Sequence, residues 1–229
     1  PLQGLMAALS YTGIQSALSR LIASRLALQE KKEAYFSLVT GIFAAVFFSA
    51  VTGFLLFRHA DFFASTILKA PGTSDLLRLT AASIPLCAIH SCIDSYYYAR
   101  KKASVPAAVQ LSEQAVRIGA TYILYLIFLS EGRPVTAMIA AGGSLAGEAA
   151  ASLISLLMVS FHFGNHPVKE KTSVKIFPLI KDLFTLSFPI SLNRILLTLL
   201  GSIEAVLIPQ MLIRCGMTSS EALKIYGIF

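Results

Sequence analysis

The chain has 229 residues, 55% of them hydrophobic and only 14% charged, with a mean hydropathy of +0.71. Soluble domains carry about 25% charged residues, so an ordinary soluble domain is excluded and an integral membrane protein is predicted. The formal net charge of +7 sits mainly between apolar runs, which fits membrane topology; no nucleic-acid partner is expected.

Residues 2–28 read as a helix with Gly4, Ser10, Thr12, Gly13, Gln15, Ser16 and Ser19 among its apolar positions. Lipid does not call for such residues, whereas packing among other helices or lining water does. Arg20 lies deeper than Arg25, and for it cavity lining stands beside a solvated position. Glu30-Lys31-Lys32-Glu33 reads as a solvated, positive-inside loop. Residues 37–57 carry no charge and have the length a bilayer core requires. Residues 62–68 are too short to cross and suit the interface. Pro71-Gly72-Thr73-Ser74-Asp75 is a turn that opens the next helix.

Residues 76–98 form the third predicted span, with Pro85 as a kink. His90 and Asp94 are one helical turn apart on one face and could pair, with a satisfied polar pair near the membrane surface and proton coupling both open. Cys87 and Cys92 read as small core residues, and Cys215 has no metal-ligand spacing to either. Tyr96-Tyr97-Tyr98 followed by Arg100-Lys101-Lys102 is an aromatic and basic exit of cytoplasmic type. The fourth span, residues 105–129, places Glu113 and Arg117 one turn apart, so they neutralise each other. Gln110 and Gln114 extend that polar stripe. A structural ion pair and a substrate contact are equally open there. The fifth span, residues 134–161, is rich in small residues and carries Glu148 near its midpoint. Glu148 must find a partner on another helix or stay protonated.

Residues 164–182 are the longest polar segment, with Lys169, Lys171, Lys175 and Lys181. They read as a cytoplasmic connector whose end lies on the membrane. His162 and His166 have a possible ligand spacing, but Gly164 and Pro167 argue against the helix it needs, and no metal is expected. Residues 183–213 form the sixth span, kinked at Pro189 and Pro209. Arg194 and Glu204 sit well inside it, each costing on the order of 3 kcal/mol if left facing lipid. Thr218 to Glu221 resembles a capping box for a seventh helix. Basic residues favour the loops after odd-numbered spans, which places those loops in the cytoplasm. The first visible span then runs outside to inside, and the chain reads as an internal part of a longer polytopic protein. The predicted fold class is therefore all-α, a polytopic transmembrane helix bundle.

Catalytic motifs are missing: there is no phosphate loop, dinucleotide fingerprint, metalloprotease helix or nucleophile elbow. Gly143 to Gly147 reads GSLAG, with Leu145 where an elbow needs serine. The chain is expected to be no enzyme and to need no cofactor. What remains is a set of isolated ionisable residues in kinked helices, the pattern of alternating-access transporters. Arginine suits phosphate because its planar fork bonds oxygen pairs and stays charged. The substrate-facing candidates are Arg194, Arg117, Arg20, Asn193 and Gln114, with the three arginines meeting an anionic headgroup. Glu204, Glu113, Glu148 and Asp94 are the candidates for coupling or gating.

Three stretches carry a family resemblance: GIQSALSRLIASRLALQEKKEA (13–34), YYYARKKASVPAAVQLSEQAVRI (96–118) and SFPISLNRILLTLLGSIEAVLIPQMLIRCGMTSSEALKIYG (187–227). They resemble the stage V sporulation protein B-like polysaccharide flippases of the multidrug/oligosaccharidyl-lipid/polysaccharide exporter superfamily. Ala99-Arg100 departs from the Gln-Gly pair usual in that pattern. The resemblance implies a two-lobed bundle moving by alternating access. Residues 1–162 would then be the first lobe without its first helix, 163–182 a basic connector, and 183–229 the start of the second lobe. It also implies a multi-pass protein of the bacterial plasma membrane. The cargo would be a polyprenyl-diphosphate-linked oligosaccharide or peptidoglycan precursor, with the bilayer as partner and a coupling ion left open. Two alternatives stand beside it: a cation-coupled multidrug exporter, and a non-transporting membrane scaffold for envelope assembly. On this view Arg194 and Glu204 pair with charges of the first lobe.

Overall fold

In this computed structural model the described residues are 2–67, 71–165 and 176–214; the predicted capping box, Cys215, His166 and most connector lysines lie outside them. All regular structure among the described residues is helical. Helix α1 (Leu2–Ala7) runs through a π-helical turn (Ala8–Thr12) into α2 (Gly13–Ala27). Then come α3 (Lys31–Arg58), the short α4 (Ala60–Phe62), α5 (Ser74–Ala99), α6 (Ser104–Ser130), α7 (Ala137–Asn165) and α8 (Ile176–Arg214).

Four of these helices are long and apolar enough to cross a membrane: α3, α5, α7 and residues 176–201 of α8. Helix α6 is as long but is not among these four; Gln110, Glu113, Gln114 and Arg117 interrupt its apolar run. The chain is thus a multi-pass membrane protein built as an all-α bundle. Two boundaries differ from those the sequence suggests. Helix α7 continues past Gly164 to Asn165, since an isolated glycine weakens a helix without ending it. Helix α8 begins at Ile176 and takes in the end of the expected connector as its first turns. Pro178 falls in that first turn, where a missing N–H costs little.

Helix α5 sits at the centre, against α2, α3 and α7, while α6 packs mainly on α7 and α8 on α1–α2 and α3. The main core cluster joins Leu18 and Ile22 of α2, Leu38 and Ala45 of α3, Ala88, Cys92, Ile93 and Tyr96 of α5, and Leu183 of α8. Small residues set the spacing. A Cβ at Gly41 would lie 2.7 Å from Leu18 Cδ2, so glycine lets α3 close on α2. Gly53 does the same against α5, where an added Cβ would stand 2.8 Å from the Ala81 carbonyl oxygen. That carbonyl is the one Pro85 leaves without its helical N–H partner. Polar side chains add cross-links: Ser95 Oγ donates to Gln15 O at 3.0 Å, and Ser152 Oγ to Leu86 O at 2.7 Å.

Helices α1–α2 and α8 run antiparallel along much of their length. Gly4 faces Thr198, Gly13 faces Ser191, and Arg25 reaches Asp182. Leu179, Leu183 and Ser187 are the buried face of α8.

Candidate functional site

Two polar regions emerge, one buried and one open. The buried one lies where α5, α6 and α7 meet. Gly143 and Gly147 on α7 build it. A Cβ at Gly147 would stand 3.1 Å from both Arg117 Cβ and the Glu113 carbonyl oxygen, and one at Gly143 would stand 2.9 Å from the Arg117 carbonyl oxygen. Their absent side chains let α6 approach α7 closely enough for Arg117 to span both helices. Arg117 pairs with Glu113 on its own helix, as the one-turn spacing predicts, and its Nη2 also lies 3.5 Å from Glu148 Oε1. Glu148 thus has a partner on another helix, and it has a second: His90 Nε2 of α5, 3.2 Å from Oε2.

The His90–Asp94 pair expected from sequence is not the one formed. His90 turns to α7, and Asp94 stays within electrostatic reach of His90 and Glu113 without bonding through Oδ1. The reason is that α5 packs against α7 across this face, and a carboxylate on a facing helix meets the ring more directly than one a turn along. Glu113 is buried, and the side chain of Glu148 is 12% exposed. Three carboxylates therefore face one guanidinium and one imidazole. In a membrane interior such an excess of negative charge is costly unless a cation or protons offset it.

Cys87, a small core residue by sequence alone, also belongs to this junction. It lies one turn before His90 on α5, and its sulfur falls within 4.8 Å of the ligand atoms of His90 and Glu148. Tyr11, carried by the π-helical turn, also comes against Cys87. The i, i+3 spacing of Cys87 and His90 was the available signal, but the third member is on α7.

The open region is a groove of about 650 Å³ between α2 and α8, lined by Arg20, Ser24, Arg25, Lys181, Asp182 and Thr185 among others. Arg25 is saturated: its guanidinium lies 3.1 Å from Glu30, 3.0 Å from Glu33 and 2.9 Å from Asp182. That hub fastens the ends of α2, α3 and α8 together. Arg20 and Lys181 are exposed and have no ion-pair partner among the described residues. Arg194, Asn193 and Glu204 are exposed on α8 as well. Among the described residues neither Arg194 nor Glu204 forms an ion pair, so the pairing of these two with charges on the earlier helices is not seen. By helical period Arg194 falls between Ser191 and Thr198, which touch the N-terminal helix, but its side chain emerges from the packed face.

The three arginines do not converge. Arg20 lines the α2–α8 groove. Arg117 borders a mostly apolar groove of about 580 Å³ between α6 and α7. Arg194 lies nine residues past Thr185, about 14 Å farther along α8. Gln114 is exposed, next to buried Glu113. Arg100, at the departure from the family pattern, packs its guanidinium on Tyr96, 3.1 Å from the hydroxyl, and meets His162 of α7. There it locks the ends of α5 and α7.

Comparison with known proteins adds the following. The family model described as polysaccharide biosynthesis protein matches residues 1–215. The chain is 28% identical over 228 residues to the stage V sporulation protein B of Bacillus subtilis (strain 168), covering 96% of this chain and 43% of that protein. It therefore spans less than half the length of the curated relative it matches. No solved structure matches it.

Proposed function

This chain belongs to the polysaccharide biosynthesis protein family, and on that footing we propose that it is part of a flippase for an anionic, lipid-linked glycan. The observation that carries this reading is the basic groove between α2 and α8. Arg20 and Lys181 stand in it without carboxylate partners, whereas Arg25 beside them is fully engaged. A membrane protein with unpaired cations in a groove between spanning helices offers a place for phosphate oxygens. Arg194 and Asn193 continue the polar line along α8, at a reach suited to an extended diphosphate-sugar headgroup. The headgroup is handled inside the protein while its polyprenyl tail remains in lipid. We assign helix α8 to the start of a second lobe, tied to α2 through Arg25 and Asp182.

Glu113, Glu148 and Asp94 act in coupling or gating. Their excess over cationic partners provides for a proton or ion that enters and leaves with the transport cycle. The same cluster favours a second reading, a cation-coupled multidrug exporter, because it gathers carboxylates that are far apart in sequence. The experiment that separates the two uses the full-length protein in vesicles. A fluorescent polyprenyl-diphosphate sugar is followed by its accessibility to a membrane-impermeant reagent, and a cationic dye is followed in parallel. Movement of the glycan lipid alone is the expected result. Dye movement alone establishes the exporter, and movement of neither leaves a scaffold.

A further inference from the structure

From Cys87, His90 and Glu148 we infer a binding site for a borderline divalent transition-metal ion of the Zn²⁺ class, holding α5 to α7. The inference goes beyond the transport reading and is tested without transport. It starts from donor chemistry. A thiol, an imidazole and a carboxylate are the sulfur, nitrogen and oxygen ligands that Zn²⁺ accepts, whereas Mg²⁺ and Ca²⁺ call for oxygen alone. Their ligand atoms all lie within 4.8 Å of one another.

The distances fit. In a tetrahedron with Zn–N and Zn–O bonds near 2.1 Å, the nitrogen–oxygen edge is about 3.4 Å. His90 Nε2 and Glu148 Oε2 are 3.2 Å apart. The sulfur, now within 4.8 Å of both atoms, has to come to about 3.5 Å from each. A second observation points the same way. Glu148 Oε2 is shielded from solvent and has no aligned hydrogen bond, although it stands beside the imidazole. Its other oxygen, Oε1, faces Arg117 at 3.5 Å. Arg117 thus holds the carboxylate through Oε1 and leaves Oε2 turned toward His90, as the outer partners of metal ligands do.

Charge agrees with the geometry. A divalent ion bound by one thiolate and one carboxylate forms a neutral centre, which is the form a low-dielectric interior tolerates. Binding expels the Cys87 thiol proton to solvent, since the thiolate is the ligand. Three protein ligands leave a fourth position, with Tyr11 bordering the sulfur.

The test titrates the full-length purified protein with Co²⁺, then Zn²⁺. The expected result is a near-ultraviolet thiolate-to-Co²⁺ charge-transfer band that saturates at one equivalent and is displaced by Zn²⁺. Cys87→Ser abolishes the band, and His90→Gln and Glu148→Gln each weaken binding by about ten-fold or more. Cys92→Ser, on the same helix but outside the cluster, leaves it intact. A wild-type protein without the band, or a band that survives Cys87→Ser, overturns the site. Should a variant aggregate, alkylation of Cys87 in the unsubstituted protein decides: Zn²⁺ slows it, and an unchanged rate overturns the site. Either negative result leaves the flippase reading where it stands.

Discussion

The α5–α6–α7 junction and the α2–α8 groove contain the same residue types under opposite conditions. At the junction Arg117 is shared between Glu113 and Glu148, His90 reaches the same carboxylate, and glycines on α7 bring the helices together. In the groove Arg25 absorbs three acidic partners while Arg20 and Lys181 keep none among the described residues. Desolvation makes each charge at the junction depend on the others, so a change there acts first on folding. In the groove water screens the charges, so a change there acts first on whatever binds. The two regions therefore differ in what a substitution disturbs first: folding at the junction, whatever binds in the groove.

The sharpest way to break this contrast is at Arg117. Arg117→Leu leaves Glu113 and Glu148 without their guanidinium. The expected loss is about 3 kcal/mol, the range for breaking a buried ion pair from one side. Thermal unfolding of the purified protein in detergent reads it. Adding Glu113→Leu to Arg117→Leu returns part of the loss, because the uncompensated charge goes with its partner. Additive losses in the double variant would place the pair with ordinary surface bridges.

Next in size is Gly147→Ala. The new methyl would sit 3.1 Å from Arg117 Cβ and from the Glu113 carbonyl, so α6 must move away from α7. Overpacking of this kind costs about 1–3 kcal/mol. It also loosens the Arg117–Glu148 contact, so Gly147→Ala and Glu148→Gln are expected to be non-additive in the same unfolding assay. A neutral Gly147→Ala would mean that the helices do not approach as described.

Smaller again is Asp182→Asn in the groove. It removes one of three acidic partners of Arg25, and that carboxylate is 45% exposed. After solvent screening the expected cost is below about 1 kcal/mol, and it shrinks with added salt. Glu30 and Glu33 remain on the guanidinium. What Asp182→Asn does change is the tie between α2 and α8, read as faster labelling of a cysteine placed at Thr185.

These contrasts were only partly legible in the sequence. Apolar runs separated by turn residues located the helices, and the one-turn spacing of Glu113 and Arg117 named a real pair. The need of Glu148 for a partner on another helix also followed from its isolation. Its partner did not: His90 is far away in sequence, and the local period assigned His90 to Asp94. Packing of α5 against α7 decides that choice, and no local pattern carries it. Cys87 was hidden for the same reason, since a buried cysteine in an apolar run looks like core until the facing helix is placed. The start of α8 at Ile176 was obscured by its lysine and aspartate, which read as connector. In the structure those charges are a helix end that contacts Arg25 and lines the groove. Arg194 and Glu204 stood out because they interrupt an apolar stretch, but depth in a hydropathy pattern does not tell which way a side chain faces.

The smallest expected effect on stability belongs to Arg20→Ala and Arg194→Ala, and it is the most informative. Both side chains are exposed and neither has an ion-pair partner among the described residues, so the folded protein loses nothing that depends on them. Expression and thermal unfolding are expected to match wild type. If the groove receives a phosphate-bearing headgroup, headgroup-accessibility transport in vesicles nevertheless falls with each variant, and the gap from wild type narrows at high salt, where the arginine's own contribution is screened. Arg20→Lys keeps the charge but loses the planar fork, so it is expected to recover only part of the activity. Full recovery by lysine would reduce the role of Arg20 to a point charge. Unchanged transport in Arg20→Ala and Arg194→Ala together would move the headgroup site away from the α2–α8 groove and leave the junction as the seat of whatever the bundle transports.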